Sequence, residues 1–230
     1  GNWDTAANWE YGVVPDLTTD VVIDDSAVVT MSGGTTPRRV DTLTLGGGSG
    51  TAVLELRADA PLTVLDGVSL LSGGVLRGDG SVSFGSLPLA VPAGAEISCI
   101  GGERLRITSG PLSNAGKLEA FGTGFQAAEL DFSGAVTNAA STGFITGHDS
   151  AFRFRANLTN AGSFTLGRGL NDISGEITNQ AGGRIVVTGG ATAIFYDDVA
   201  NSGSIQVSAS GPTQSMAVFF GALSGAGVSG

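Results

Sequence analysis

The sequence predicts an all-β chain wound as a right-handed parallel β-helix, a β-solenoid of roughly ten coils with about 22 residues each. Three observations lead there. A short phrase recurs in the second half: an apolar residue, one variable position, an asparagine, then small residues. Its asparagines are Asn114, Asn138, Asn160, Asn179 and Asn201, a period of 19 to 24 residues, which is the length of one solenoid coil. Within each repeat the apolar residues alternate, as in "GSFTL" and "GSIQV", so the segments read as short strands with one buried face. No segment carries a 3.6-residue apolar pattern over three turns, and the 38 glycines suit tight corners. Parallel crossovers in such a fold are expected to be right-handed.

Residues 1–20 form the first element. They hold Trp3, Trp9 and Tyr11, with Pro15 closing the segment before a strand near Asp20. The terminal coil of a solenoid exposes an apolar disc and unpaired strand edges, so this segment reads as a cap or a junction. The competing reading is an aromatic platform for sugar rings.

Residues 21–110 alternate less regularly and are punctuated by Gly-Gly pairs, with glycine in place of the asparagine, as at Gly73. They read as irregular coils of the same solenoid, with a separate β-sandwich as the alternative. Residues 111–230 read as regular asparagine-corner coils. Aligned on the asparagine, the apolar positions predict two core columns. One is Leu112, Val136, Leu158, Ile177, Val199 and Leu223. The other is Phe132, Phe154, Ile173, Phe195 and Phe219. Gly225 replaces the asparagine in the last copy. Because asparagine and glycine both tolerate φ > 0, the position is expected to be a left-handed corner. Stacked amides there are expected to hydrogen-bond coil to coil as a ladder.

Composition excludes several functions. The net charge is −10, the only lysine is Lys117, and no run of basic residues exceeds Arg38-Arg39, so no nucleic-acid footprint or anionic-membrane patch is expected. No apolar run approaches the ~20 residues of a membrane-spanning helix. Cys99 is the single cysteine, so no internal disulfide forms. The abrupt start reads as a mature or excised piece of something longer.

The opening "GNWDTAANWEYGVVPDLTTDVVID", followed by these coils, resembles Gly-rich β-helical passenger and repeat segments of large secreted bacterial surface proteins, autotransporter-like ones among them. The tryptophan-then-"P…DVVI" start is also distantly similar to G8-type β-helical domains. The resemblance covers the whole chain as a style of sequence. It implies an extracellular or cell-surface protein with a structural or adhesive role, and it transfers no catalytic residue and no cofactor.

Carboxylates remain to be tested for chemistry. Asp131, Arg153 and Asp172 fall seven before successive asparagines and are expected to stack on the outer face. Asp131 and Asp172, two coils apart, would then sit roughly 9–10 Å from each other, near the upper end of the spacing in inverting glycosidases. The preferred reading is an Asp–Arg–Asp charge ladder. His148-Asp149 reads as a polar turn, Arg77-Gly78-Asp79 as a turn, and Asn157-Leu158-Thr159 as a glycosylation acceptor. Asp24-Asp25 and Asp197-Asp198 could meet calcium opportunistically. Gly46-Gly47-Gly48 lacks the lysine of a phosphate loop.

The expected function is therefore a non-enzymatic extracellular solenoid, a surface filament, matrix or adhesin rod, with head-to-tail or lateral self-association. Phe121 and Phe125 could supply a lateral patch. The alternative is a polysaccharide-binding or polysaccharide-degrading β-helix.

Overall fold

A computed structural model describes every residue except 35, 210–212 and 226. The chain is all-β, a solenoid of about nine turns of ~22 residues. This agrees with the roughly ten coils expected, and residues 1–19, outside the solenoid, hold a 3-10 turn (Ala6–Asn8) and one isolated bridge. Every strand pairing among the described residues is parallel, from Val28–Met31 on Ala52–Leu70 to Ser204–Val207 on Val228–Ser229. Residues 21–110 therefore continue the same solenoid, and no sandwich forms. The 19-residue strand Ala52–Leu70 bends from one side of the coil to the next, so an 18-stranded sheet wraps two sides while a 7-stranded sheet lines a third.

The core follows from the period-2 alternation. On the first side Leu118, Ile145, Phe164, Ile185 and Ile205 lie one above another, all buried. In the 7-stranded sheet Leu89, Leu112, Val136, Leu158, Ile177, Val199 and Leu223 form one column, as the repeat requires.

The second predicted column needs a correction. Phe132, Phe154, Ile173 and Phe195 are all buried, and Phe132 pairs with Phe154. Ile173, however, pairs with Phe152, two residues earlier, and Phe195 and Phe219 follow it. The continuous column is Leu105, Leu130, Phe152, Ile173, Phe195, Phe219. A parallel column of Ile107, Phe132 and Phe154 stops at Phe154, where Gly175 lies directly against the Phe154 backbone at φ 107°. The coils below are two residues shorter at that corner, so the wall steps inward.

The asparagine position also differs from expectation. Among the described residues none of the five ladder asparagines has positive φ; only Gly225 does, at 87°. Each asparagine ends a short strand and points inward. The amide ladder itself is present. Nδ2 of Asn114, Asn138, Asn160 and Asn179 donates to Oδ1 of the next asparagine at 2.7, 2.8, 2.7 and 2.7 Å. The same amides also reach the carbonyls of Phe144, Ser163, Arg184 and Ser204 just past the corner. Inward amides thus satisfy corner carbonyls that a tight turn would otherwise leave buried and unpaired.

Glycine is needed just after the asparagine for closeness of approach. A Cβ at Gly116, Gly143, Gly162, Gly183 or Gly203 would lie against a backbone carbonyl oxygen of a neighbouring turn, well inside van der Waals contact.

At the start of the chain, Trp3 is fully buried and its backbone N–H donates to the Thr30 carbonyl at 2.8 Å, laying residues 1–3 along the strand Val28–Met31. Trp9 packs edge-on against Trp3 at 5.1 Å between ring centroids, and its Nε1 donates to the Trp3 carbonyl at 2.8 Å. Trp3 and Trp9 cover the first rung. Tyr11 does not; it is 87% exposed, carried away by the turn at Gly12.

Candidate functional site

The outer face of the second side carries the chain's main charge cluster. Strand alternation turns every second residue outward, and three consecutive rungs place charges there. Arg104 and Arg106 come from Arg104–Thr108, Glu129 and Asp131 from Ala128–Phe132, and Arg153 from Ser150–Phe154, with Arg155 just beyond. Asp131 is the hub. Arg155 meets it through two bonds, Nε–Oδ1 at 2.6 Å and Nη2–Oδ2 at 2.7 Å; Arg104 and Arg106 reach Oδ2 at 3.1 and 3.3 Å. Glu129 holds Arg104 Nε at 2.6 Å and Arg153 Nε at 3.0 Å. The Asp131 side chain is 1% exposed, whereas the four arginines remain about half exposed.

Burial alone would raise the Asp131 carboxyl, but the hydrogen bonds and charges of Arg155, Arg106 and Arg104 together outweigh it and hold the group below its ordinary range. Arg153 and Arg155 are correspondingly held more firmly protonated, chiefly by their bonds to Glu129 and Asp131. Asp131 is thus an ionised, saturated acceptor and is poorly suited to deliver a proton.

The expected Asp131–Arg153–Asp172 ladder does not form as written. Asp131 and Arg153 are register partners, but Arg153 spends its Nε on Glu129. Asp172 is displaced by the two-residue step. It pairs with Ala151, two residues before Arg153, and its Oδ1 accepts from the Tyr196 hydroxyl at 3.1 Å. The spacing argument missed the arginines at 104, 106 and 155. The signal was available: R-x-R at 104–106, E-x-D at 129–131 and R-x-R at 153–155 are alternate residues one coil apart, so the folded protein clusters basic charge that no sequence run reveals.

Where the wall steps inward below Phe154, a groove of about 770 Å³ opens. Arg104, Arg153, Arg155 and Glu129 line one end, and Ser174, Gly175, Glu176 and Asp197 the other. Asp197 is anchored there by accepting the Gly175 N–H at 2.7 Å.

The remaining candidates have structural partners. Asp25 accepts the Ser49 N–H and Asp198 the Ala222 N–H, so the aspartate pairs tie coils together. Among the described residues no three His, Cys, Asp or Glu side chains are grouped to hold a metal ion. His148 packs edge-on against Phe121, and burial, helped by Arg168, lowers its pKa. Arg77-Gly78-Asp79 lies inside the strand Gly74–Ser83 at the corner where its pairing passes from Glu96–Ile100 to Arg104–Thr108, with Gly78 at φ 111°. Asn157 sits exposed at a corner with φ 100°. Phe125 is exposed at a loop tip, apart from the half-buried Phe121. No helix of the described residues is long and apolar enough to cross a membrane.

No protein-family model matches the chain, and neither a curated protein nor a solved structure matches it.

Proposed function

We propose that this chain is a non-enzymatic extracellular structural solenoid, a rigid segment of a bacterial surface filament, matrix or adhesin rod. The observation that carries the reading is the buried amide ladder from Asn114 to Asn201, which clamps five successive coils through side chains as well as backbone. A continuous ladder of this kind favours one stiff shape over a hinged or gated one. The saturation of Asp131 by three arginines and the use of Asp25, Asp197 and Asp198 as coil ties support the same reading. These carboxylates hold structure and are not left free as an acid–base pair. The sequence resemblance to secreted surface repeats points the same way. Exposed Phe125, Phe144 and Phe220 offer flank contacts for self-association.

The test is incubation of the purified chain with neutral and acidic polysaccharides, with detection of new reducing ends and of unsaturated products. No turnover is expected from the wild type or from Asp131→Asn and Asp172→Asn. Turnover lost in either variant overturns the structural reading. Light scattering and negative-stain imaging over a concentration series address assembly, and a chain that stays monomeric at millimolar concentration removes self-association from the proposal.

A further inference from the structure

The strongest unassigned feature is the stepped groove below Phe154 together with the arginines above it. Four of the chain's ten arginines meet two carboxylates on three adjacent rungs, an excess of two positive charges on a protein whose net charge is −10. Glu176 and Asp197 offset that excess further along the same groove, so the two signs of charge are segregated along it rather than paired at one place. Each guanidinium carries five N–H donors, and the inner pairs with Glu129 and Asp131 occupy only part of each set. Asp131, being buried, fixes Arg104, Arg106 and Arg155 from behind, and Glu129 holds Arg153, so their ordering is complete before any ligand arrives.

The groove then crosses four coil steps, from the rung of Arg104 to that of Asp197, about 20 Å at the ~4.8 Å strand spacing. Its far half changes character. Glu176 and Asp197 are acceptors, and Ser174 is a small hydroxyl beside them. A ligand that fits both halves is linear, carries an anionic group for the arginines and offers hydroxyl donors to the carboxylates. A nucleic acid presents a phosphate at every step and would meet Glu176 and Asp197 with like charge.

We propose that this groove binds an anionic glycan, its carboxylate or sulfate held by Arg153 and its neighbours and its hydroxyls by Glu176 and Asp197. The proposal does not depend on the scaffold reading, since a rod and a matrix enzyme could each use such a groove.

The test is calorimetry on the whole chain at low and at physiological salt, with polygalacturonate, dextran sulfate, neutral dextran and duplex DNA as probes. Binding of at least one anionic glycan is expected, weakening as salt rises because the guanidinium groups are half exposed. The two anionic arms decide between carboxylate and sulfate. Arg153→Gln is expected to weaken binding about fivefold, or ~1 kcal/mol, the scale of an exposed charge pair. Glu176→Gln replaces a charged acceptor of the glycan hydroxyls by a neutral one and is expected to weaken binding about twofold. Arg184→Gln, on the first side, is the control and should change nothing. No binding at low salt, equal binding of neutral dextran or DNA, or equal loss in R153Q and R184Q would overturn the proposal. If R153Q fails to fold, an unchanged affinity in E176Q does so alone.

Discussion

Asn160 sits mid-ladder, accepting from Asn138 and donating to Asn179 and to the Arg184 carbonyl. Asn160→Ala leaves buried amide and carbonyl groups unpaired on both neighbouring coils, each costing about 1–3 kcal/mol. A fall in the urea midpoint with an unchanged slope is the expected result. At Asp131 the effect depends on pH. Its folded pKa is depressed, so its contribution is fully present above the unfolded value and is lost as pH falls through the folded one. Asp131→Asn is therefore expected to cost about 1–3 kcal/mol near pH 7, with the gap to wild type closing in acid; thermal melts from pH 7 to pH 2 measure it. At this scale the sequence was half legible. Recurrence located the asparagines and their stacking, because identical residues one coil apart must meet. Their φ was not legible, since an amide can serve a corner either by adopting the turn or by bonding to it, and both leave the same letter.

Single elements turn on what the coils allow beside them. Gly162 lies against the Ala139 and Gly143 carbonyls, so Gly162→Ala forces coils apart and is expected to cost about 1–3 kcal/mol by overpacking; the urea midpoint reports it. In the N-terminal segment, Trp3→Ala should cost about 3–5 kcal/mol and raise hydrogen exchange in Val28–Met31, whereas Tyr11→Ala should stay within about 0.5 kcal/mol. The pair separates the residue that covers the first rung from the one that merely neighbours it in sequence. The step at Phe154 shows why register was read only in part. Phe132 and Phe154 each stand four residues before the corner strand, and so do Ile173 and Phe195. Yet Leu130 and Phe152, two residues further back, are equally apolar and supply the true continuation. Two alternating candidates of one parity cannot be ranked by hydrophobicity, and the shorter corner at Gly175 decides between them. The arginine cluster was missed for the same reason that it exists: its members lie about 25 residues apart in the chain and one rung apart in space.

For the whole molecule, the period that sets the ladder also sets what can be removed. Residues 180–201 comprise one complete turn between equivalent points, since Asn179 and Asn201 are ladder neighbours 22 residues apart. Excising them joins Asn179 to Ser202 and recreates the same phrase, "TNSGS", with Ser204–Val207 falling onto Ser163–Leu166 and Met216–Phe219 onto Leu170–Ser174. The shortened chain is expected to remain folded, as circular dichroism and a cooperative melt would show. Excising 139–160 also closes the phrase, but it takes Arg153 and Arg155 away and leaves Glu129 and Asp131 with only Arg104 and Arg106. Copy number in such a chain is thus free to drift by recombination on one side of the step and constrained on the other, so length variants among natural versions should differ by whole turns located after residue 177.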